Sequence, residues 1–252
     1  MSKSLFKSLS FNDCDLHIHR IDVWQIPLDN EPPWAKSLLN EHEKTRANRY
    51  YFPEHQRRFS TARAMLRLIL SHYLDTSAQK LVFDYLKQGK PYLPQHPFLQ
   101  FNLSHSGDTA LLAVGHTTPL GIDIEYFSAR PYCGMAKHSF SAQENQSLAQ
   151  LPPWLLPLAF FNVWVQKEAF IKALGLGLSY PTRQFNVPIL PQQPALVDDP
   201  LHALCWQMVS FIPVVACCAA LCCHPDVTDW YYHTLHALPD QPDLSPAVSG
   251  KS

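Results

Sequence analysis

An α+β fold is what this 252-residue sequence predicts. Two features of its patterning carry the expectation. Apolar residues recur at threes and fours over residues 54–74 (Phe59, Ala62, Leu66, Leu70, Tyr73) and crowd residues 151–174 (Trp154, Leu155, Leu158, Phe161, Val165, Ala169, Phe170), and both patterns are helical. Each helix is accompanied by short segments that read as antiparallel strands. With 46% hydrophobic and 16% charged residues, the chain has material for a full core and is not disordered throughout.

In chain order, residues 15–27 alternate as a strand, with Leu16, Ile18, Ile21, Val23 and Trp24 apolar. His17 and His19 share a strand face but lack a third ligand nearby, so they read as surface polar residues. After a Pro-rich turn at 31–33, residues 35–51 read as one helix and 54–74 as a second, longer one with arginines on its outer face. Residues 81–86, 98–103 and 109–114 read as strands, with a tight turn at Gly89-Lys90-Pro91. Pro119 opens a second half in which 121–125 is a strand. Ser141 and Glu144 have the spacing of a capping box, and Gly175 and Gly177 stand where a helix ends. The Pro-rich piece 186–200 reads as a loop, and 205–211 and 214–223 as strands. From residue 238 onward Pro, Asp, Ser and Gly predict a mobile tail. The division expected is 1–118, 119–237 and 238–252.

A formal net charge of -1 hides an uneven distribution, since Lys44, Arg46, Arg49, Arg57, Arg58, Arg63 and Arg67 follow one another opposed only by Glu54. Such a local patch suits an anionic ligand. Seven cysteines without regular spacing predict reduced thiols and a cytoplasmic protein. Cys217, Cys218, Cys222 and Cys223 read as buried thiols, because consecutive strand residues face opposite ways. No stretch is long and apolar enough to span a bilayer. GxxxxGK[ST], GxGxxG and HExxH are absent, as are internal repeats.

The chemistry concentrates in two places. In the strand Gly-Ile-Asp-Ile-Glu, Asp123 and Glu125 are two apart and share a face, while Ile122 and Ile124 pack behind them. On the helix, Trp164, Glu168 and Lys172 are four apart and form a row. Carboxylates gathered in one volume repel each other unless a cation joins them, and Mg²⁺, a hard ion that keeps sites for water and phosphate, suits them. Ser104-His105 does not read as a hydrolase pair: adjacent residues do not present hydroxyl to imidazole, and GxSxG is absent.

The motifs GIDIE and WVQKEAFIK (164–172), preceded by GKP (89–91) and FNLSHS (101–106), resemble those of 4′-phosphopantetheinyl transferases of the Sfp type, over roughly residues 43–226. The resemblance implies two similar α+β subdomains related by a pseudo-twofold axis. It implies Mg²⁺-dependent transfer of the 4′-phosphopantetheine group from coenzyme A, the substrate, to a serine of an apo acyl, peptidyl or aryl carrier protein. Asp123, Glu125 and Glu168 would hold the metal, Glu168 would act as base, and Lys172 and Lys167 would balance charge. Arg46 and Arg58 would contact the 3′-phosphate end of coenzyme A, Lys90 its nucleotide end, and Ser104 and His105 its phosphates. A monomer with neither nucleic acid nor membrane as partner is expected. Two other classes share these residues. A Mg²⁺-dependent coenzyme A pyrophosphate hydrolase would use water as nucleophile, and a non-catalytic coenzyme A binding module could dispense with Glu168 and Lys172.

Overall fold

Two sheets packed face to face, each with a long helix on its outer side, make up the computed structural model, which describes residues 5–8, 14–192 and 194–234. The tail expected from residue 238 lies outside the described residues. The layers follow from strands that are apolar on both faces. In β6 (Thr109–His116), Ala110, Leu112 and Val114 pack under α3 (Pro53–Leu74), while Leu111 and Ala113 enter the core between the sheets. In β10 (Cys217–Cys223), Cys218, Ala220 and Cys222 meet α6 (Leu156–Leu174), while Cys217, Ala219, Leu221 and Cys223 face the other sheet. A strand covered on both sides needs an unbroken apolar run, and small thiols serve there as hydrophobes.

The first sheet runs β1 (Lys7–Ser8), β11 (Asp229–Thr234), β2 (Arg20–Pro27), β6, β5 (Leu99–Ser106). The second runs β7 (Gly121–Tyr126), β10, β9 (Leu204–Phe211), β8 (Ala195–Asp199). Residues 229–234 therefore belong to the first sheet by pairing although they follow the second in sequence. A two-stranded ribbon, β3 (Asp84–Tyr85) with β4 (Pro91–Tyr92), spans the Gly89 turn. The remaining helices are α1 (Ala35–Leu38), α2 (Glu41–Asn48), α4 (Tyr132–Ser139) and α5 (Ala142–Ala149). Among the described residues no helix is long and apolar enough to cross a membrane.

Several sequence expectations change, and the strands expected over 15–27 and 214–223 begin only at Arg20 and Cys217. The helix over 35–51 is two helices, because Asn40 accepts the Glu43 N–H while Glu43 accepts the Asn40 N–H, both at 2.9 Å, and that capping box starts a new helix. The strand over 81–86 shrinks to its last residues. The loop over 186–200 contains β8, which turns Val197 and Asp199 inward. Ser141 and Glu144 form the expected capping box at α5.

The contact that places the site is between β7 and α6. A Cβ on Gly121 would stand 2.1 Å from the Ala169 carbonyl oxygen and 2.3 Å from the Ala173 nitrogen. Only glycine lets the strand press on the helix backbone, and this brings the next residues of β7 under Glu168 and Lys172.

Candidate active site

With Ile122 and Ile124 buried between the sheets, Asp123 and Glu125 point to the other side of β7, toward α6. Lys172 reaches down from the last turn of α6 and donates to Asp123 Oδ1 at 2.6 Å and to Ser104 Oγ at 2.8 Å. Ser104 in turn donates to Asp123 Oδ1 at 2.7 Å. Asp123 Oδ2 is buried without a hydrogen-bond partner. Glu125 accepts from Ser106 Oγ at 3.1 Å and has Arg130 at 3.7 Å.

The carboxyls feel one another. Burial, then the charge of Asp123, raises the pKa of Glu168, with Lys172 opposing and Glu125 adding. Burial and then Asp123 also raise Glu125, against Ser106, Arg130 and Lys172. Among the described residues no three acidic, imidazole or thiol groups close on one point as a finished metal cage. Asp123, Glu125 and Glu168, predicted as the metal set, thus lie within mutual electrostatic reach without converging fully. Their donor chemistry nonetheless fits Mg²⁺: two carboxyls with raised proton affinity and one buried, unpartnered carboxylate oxygen are what a hard cation would satisfy, with water and phosphate completing its shell.

His105, next to Ser104 on β5, is exposed on the opposite face. Its crowded protein side, then Lys172 and Arg58, hold its pKa below the ordinary value. Arg58 donates through Nε to Asp108 Oδ1 at 2.8 Å, and Arg57 donates to the same oxygen at 2.8 Å, so the acid just past the SHS motif orients the arginines. Arg46 lies over the Phe59 ring at 5.2 Å. It lines a cavity of about 980 Å³ with Arg49, Tyr50, Phe59, Phe83 and Tyr85. That cavity is not lined by Asp123, Glu125 or Glu168. Glu168 borders a smaller cleft of about 270 Å³ with Phe140, Trp164, Tyr180 and Arg183.

Several predicted residues do other work. Lys167 is buried, paired with Glu144 at 2.9 Å, and donates to the carbonyls of Thr182 and Phe185, each at 2.6 Å. An ammonium has three donors, and all three of these are engaged by protein acceptors. Lys90, expected at the nucleotide, donates instead to the carbonyls of Leu120 (2.8 Å) and Ala173 (3.2 Å), where burial lowers its pKa to about 8. Ser104, expected on phosphate, is buried and has spent its proton on Asp123. The basic patch is also smaller than the sequence suggested. Arg63 and Arg67 are buried and share Glu43, at 2.5 and 2.8 Å, an acid one residue outside the run.

Sequence reasoning missed Ser106, Asp108 and Arg130. Ser106 was legible, since it shares a strand face with Ser104. Asp108 and Arg130 enter through turns whose direction no periodicity encodes.

A carboxylate strand crossed by a Glu–Lys helix row is the geometry against which comparisons with known proteins stand. The chain matches the family description 4′-phosphopantetheinyl transferase superfamily over residues 119–230, and 4′-phosphopantetheinyl transferase, N-terminal, over residues 23–117. It is 38% identical over 210 residues to the 4′-phosphopantetheinyl transferase HetI of Nostoc sp., covering 80% of this chain and 86% of the relative. It is 33% identical to psf-1 of Bacillus pumilus (66% and 71% covered) and 29% identical to Sfp of Bacillus subtilis (75% and 84%). The chain belongs to the 4′-phosphopantetheinyl transferase family.

Proposed function

We propose that this protein transfers the 4′-phosphopantetheine group of coenzyme A to a serine hydroxyl of an apo acyl, peptidyl or aryl carrier protein, releasing adenosine 3′,5′-bisphosphate. The observation that carries the reading is the contact of Lys172 with both Asp123 and Ser104 beside Glu168, in a chain of this family. The serine oxygen attacks the pantetheine-side phosphorus, a P–O bond to the bisphosphate breaks, and the serine proton passes to Glu168. The raised proton affinity of Glu168 suits it to take that proton. Lys172 neutralises charge that grows on the pyrophosphate oxygens as the bond breaks. Asp123, Glu125 and Glu168 would hold Mg²⁺, which when bound supplies charge neutralisation to the pyrophosphate. Arg58 and His105 would receive the phosphates, and the aromatic and arginine side chains around Arg46 the nucleotide end. We place the protein in the cytoplasm as a monomer; the free thiols of Cys133, Cys205, Cys217, Cys218, Cys222 and Cys223 favour a reducing compartment.

The test is to incubate the protein with coenzyme A, Mg²⁺ and a panel of apo carrier proteins and to weigh the carriers. Gain of one phosphopantetheine mass supports transfer. Bisphosphate release with no mass gain on any carrier would favour the pyrophosphate hydrolase, and no reaction with tight coenzyme A binding would favour the binding module. Asp123→Ala should abolish transfer and weaken Mg²⁺ binding while the melting curve stays cooperative; transfer at the wild-type rate would refute the metal assignment.

A further inference from the structure

The two sheets meet at their edges where β5 runs beside β7, although β5 takes its ladder partner from β6 and β7 from β10. What crosses the gap is a row of side chains. Asn102 Oδ1 accepts the Ile122 N–H at 2.8 Å, and Ser106 Oγ accepts the Tyr126 N–H at 3.1 Å. Ser104 and Ser106 donate to Asp123 and Glu125. These three are alternate residues and occupy one face of β5. Direct pairing would draw the strands to about 4.8 Å and consume the edge N–H groups. A side chain set between them satisfies the same groups at a wider spacing and leaves room for a ligand over the carboxylates.

We propose that Asn102, Ser104 and Ser106 are positioning residues for the transferase site: Asn102 and Ser106 fix the register of β7, and Ser104, with Lys172, occupies Asp123 Oδ1 so that the buried Oδ2 is the oxygen left for a cation. The inference rests on the transferase reading above. Ser104 has one proton, which goes to Asp123, and it accepts from Lys172. In this arrangement its hydroxyl is engaged by the Asp123–Lys172 pair. Groups that orient a metal-binding carboxylate typically matter by 10- to 100-fold in affinity or rate.

The experiment compares Ser104→Ala, Ser104→Thr and Ser106→Ala, using Mn²⁺ as probe by electron paramagnetic resonance, steady-state kinetics with coenzyme A and dephospho-coenzyme A, and thermal melting. Expected for Ser104→Ala are Mn²⁺ binding weaker by roughly 10-fold or more, a fall in kcat of similar size, an almost unchanged KM for coenzyme A, and partial recovery of both in Ser104→Thr, which keeps the hydroxyl. Ser106→Ala should show a milder form of the same pattern, and its half-exposed position makes it the variant to rely on if Ser104→Ala unfolds. Unchanged Mn²⁺ affinity in both alanine variants would overturn the proposal. So would a raised KM for coenzyme A with lost discrimination against dephospho-coenzyme A, which would return Ser104 to the phosphate. Because the Mn²⁺ measurement needs no carrier and no turnover, it decides the positioning role even if no carrier is modified by the wild type.

Discussion

Lys167 and Lys172 stand five residues apart on one helix and do opposite work. Lys167 is buried, and burial lowers its pKa against the pull of Glu144. Removing it leaves the Glu144 carboxylate unpaired in the core, so Lys167→Met should cost about 3–5 kcal/mol and show as a fall in melting temperature, with little change in KM in whatever folds. Lys172 is part-exposed, and its proposed role is on charge that develops in the transition state. Lys172→Ala should lower kcat on the order of 10²-fold while calorimetric affinity for coenzyme A changes far less. Equal effects of both variants on stability would contradict this division. His105 makes a pH-dependent prediction. Its pKa lies below the ordinary 6.5, so at pH 7 the free enzyme holds it neutral. A phosphate dianion against the ring would favour the imidazolium, so coenzyme A binding should take up a proton near pH 7 and weaken as pH rises. Calorimetry in buffers of different ionisation enthalpy measures that uptake, which should vanish in His105→Gln.

At the scale of elements, the site depends on how closely β7 lies on α6. Gly121→Ala puts a methyl 2.1 Å from a helix carbonyl, and no side-chain adjustment relieves a backbone clash. Overpacking of this kind typically costs about 1–3 kcal/mol or more, and because β7 must move, transfer should fail even at temperatures where the variant is folded. Full activity would show that the strand can shift without parting Asp123 from Lys172. The sequence made this pairing legible in part: the alternation of Ile122 and Ile124 with Asp123 and Glu125 fixed the faces of the strand, and the spacing of Glu168 and Lys172 fixed a helix row. It could not tell Lys167 from Lys172, since both are lysines on an amphipathic stretch and only Glu144 and the carbonyls of the 182–185 loop decide between them. It overlooked the Asn40–Glu43 capping box, although the Asn-x-x-Glu spacing stands in the sequence. It missed β8 because Pro-rich flanks outweighed five extended residues. The contacts of Lys90 with the carbonyls of Leu120 and Ala173 escaped the sequence for a related reason. A turn lysine normally faces water, and nothing local signals the free carbonyls of Leu120 and Ala173 above it.

At the scale of the whole molecule, the last described strand returns to the first sheet. β11 pairs in parallel with β2 from Asp229–Arg20 to Thr234–Gln25, and His233 is buried with its ring 4.6 Å from that of Trp24. His233 Nε2 lies 3.0 Å from Asp22 Oδ1, while Asp22 also accepts from Arg20 Nε at 2.7 Å and from the Tyr73 hydroxyl on α3 at 2.5 Å. One buried carboxylate therefore stands among the last described strand, the first long strand and the first long helix. That sheet and that helix carry His105, Ser104 and Arg58, whereas Asp123 and Glu125 sit on β7 in the other sheet and Glu168 on α6. A chain ending at residue 228 should accordingly be compared with one ending at 234. Without β11 the edge of β2 loses its ladder partner, Asp22 loses the neighbouring His233, and the space of Tyr232 and His233 is left empty. The cost should be about 3 kcal/mol or more, a fall of roughly 6–12 °C in melting temperature for a domain of this size. If the shorter chain still folds, its coenzyme A affinity should fall more than its Mn²⁺ affinity, because the damage is to the sheet that carries His105, proposed above as a phosphate contact, and not to the strand that carries Asp123 and Glu125. Equal melting temperatures for the two chains would mean that β11 covers the sheet without holding it, and loss of Mn²⁺ binding with coenzyme A affinity intact would mean that the two sheets do not divide the work in this way.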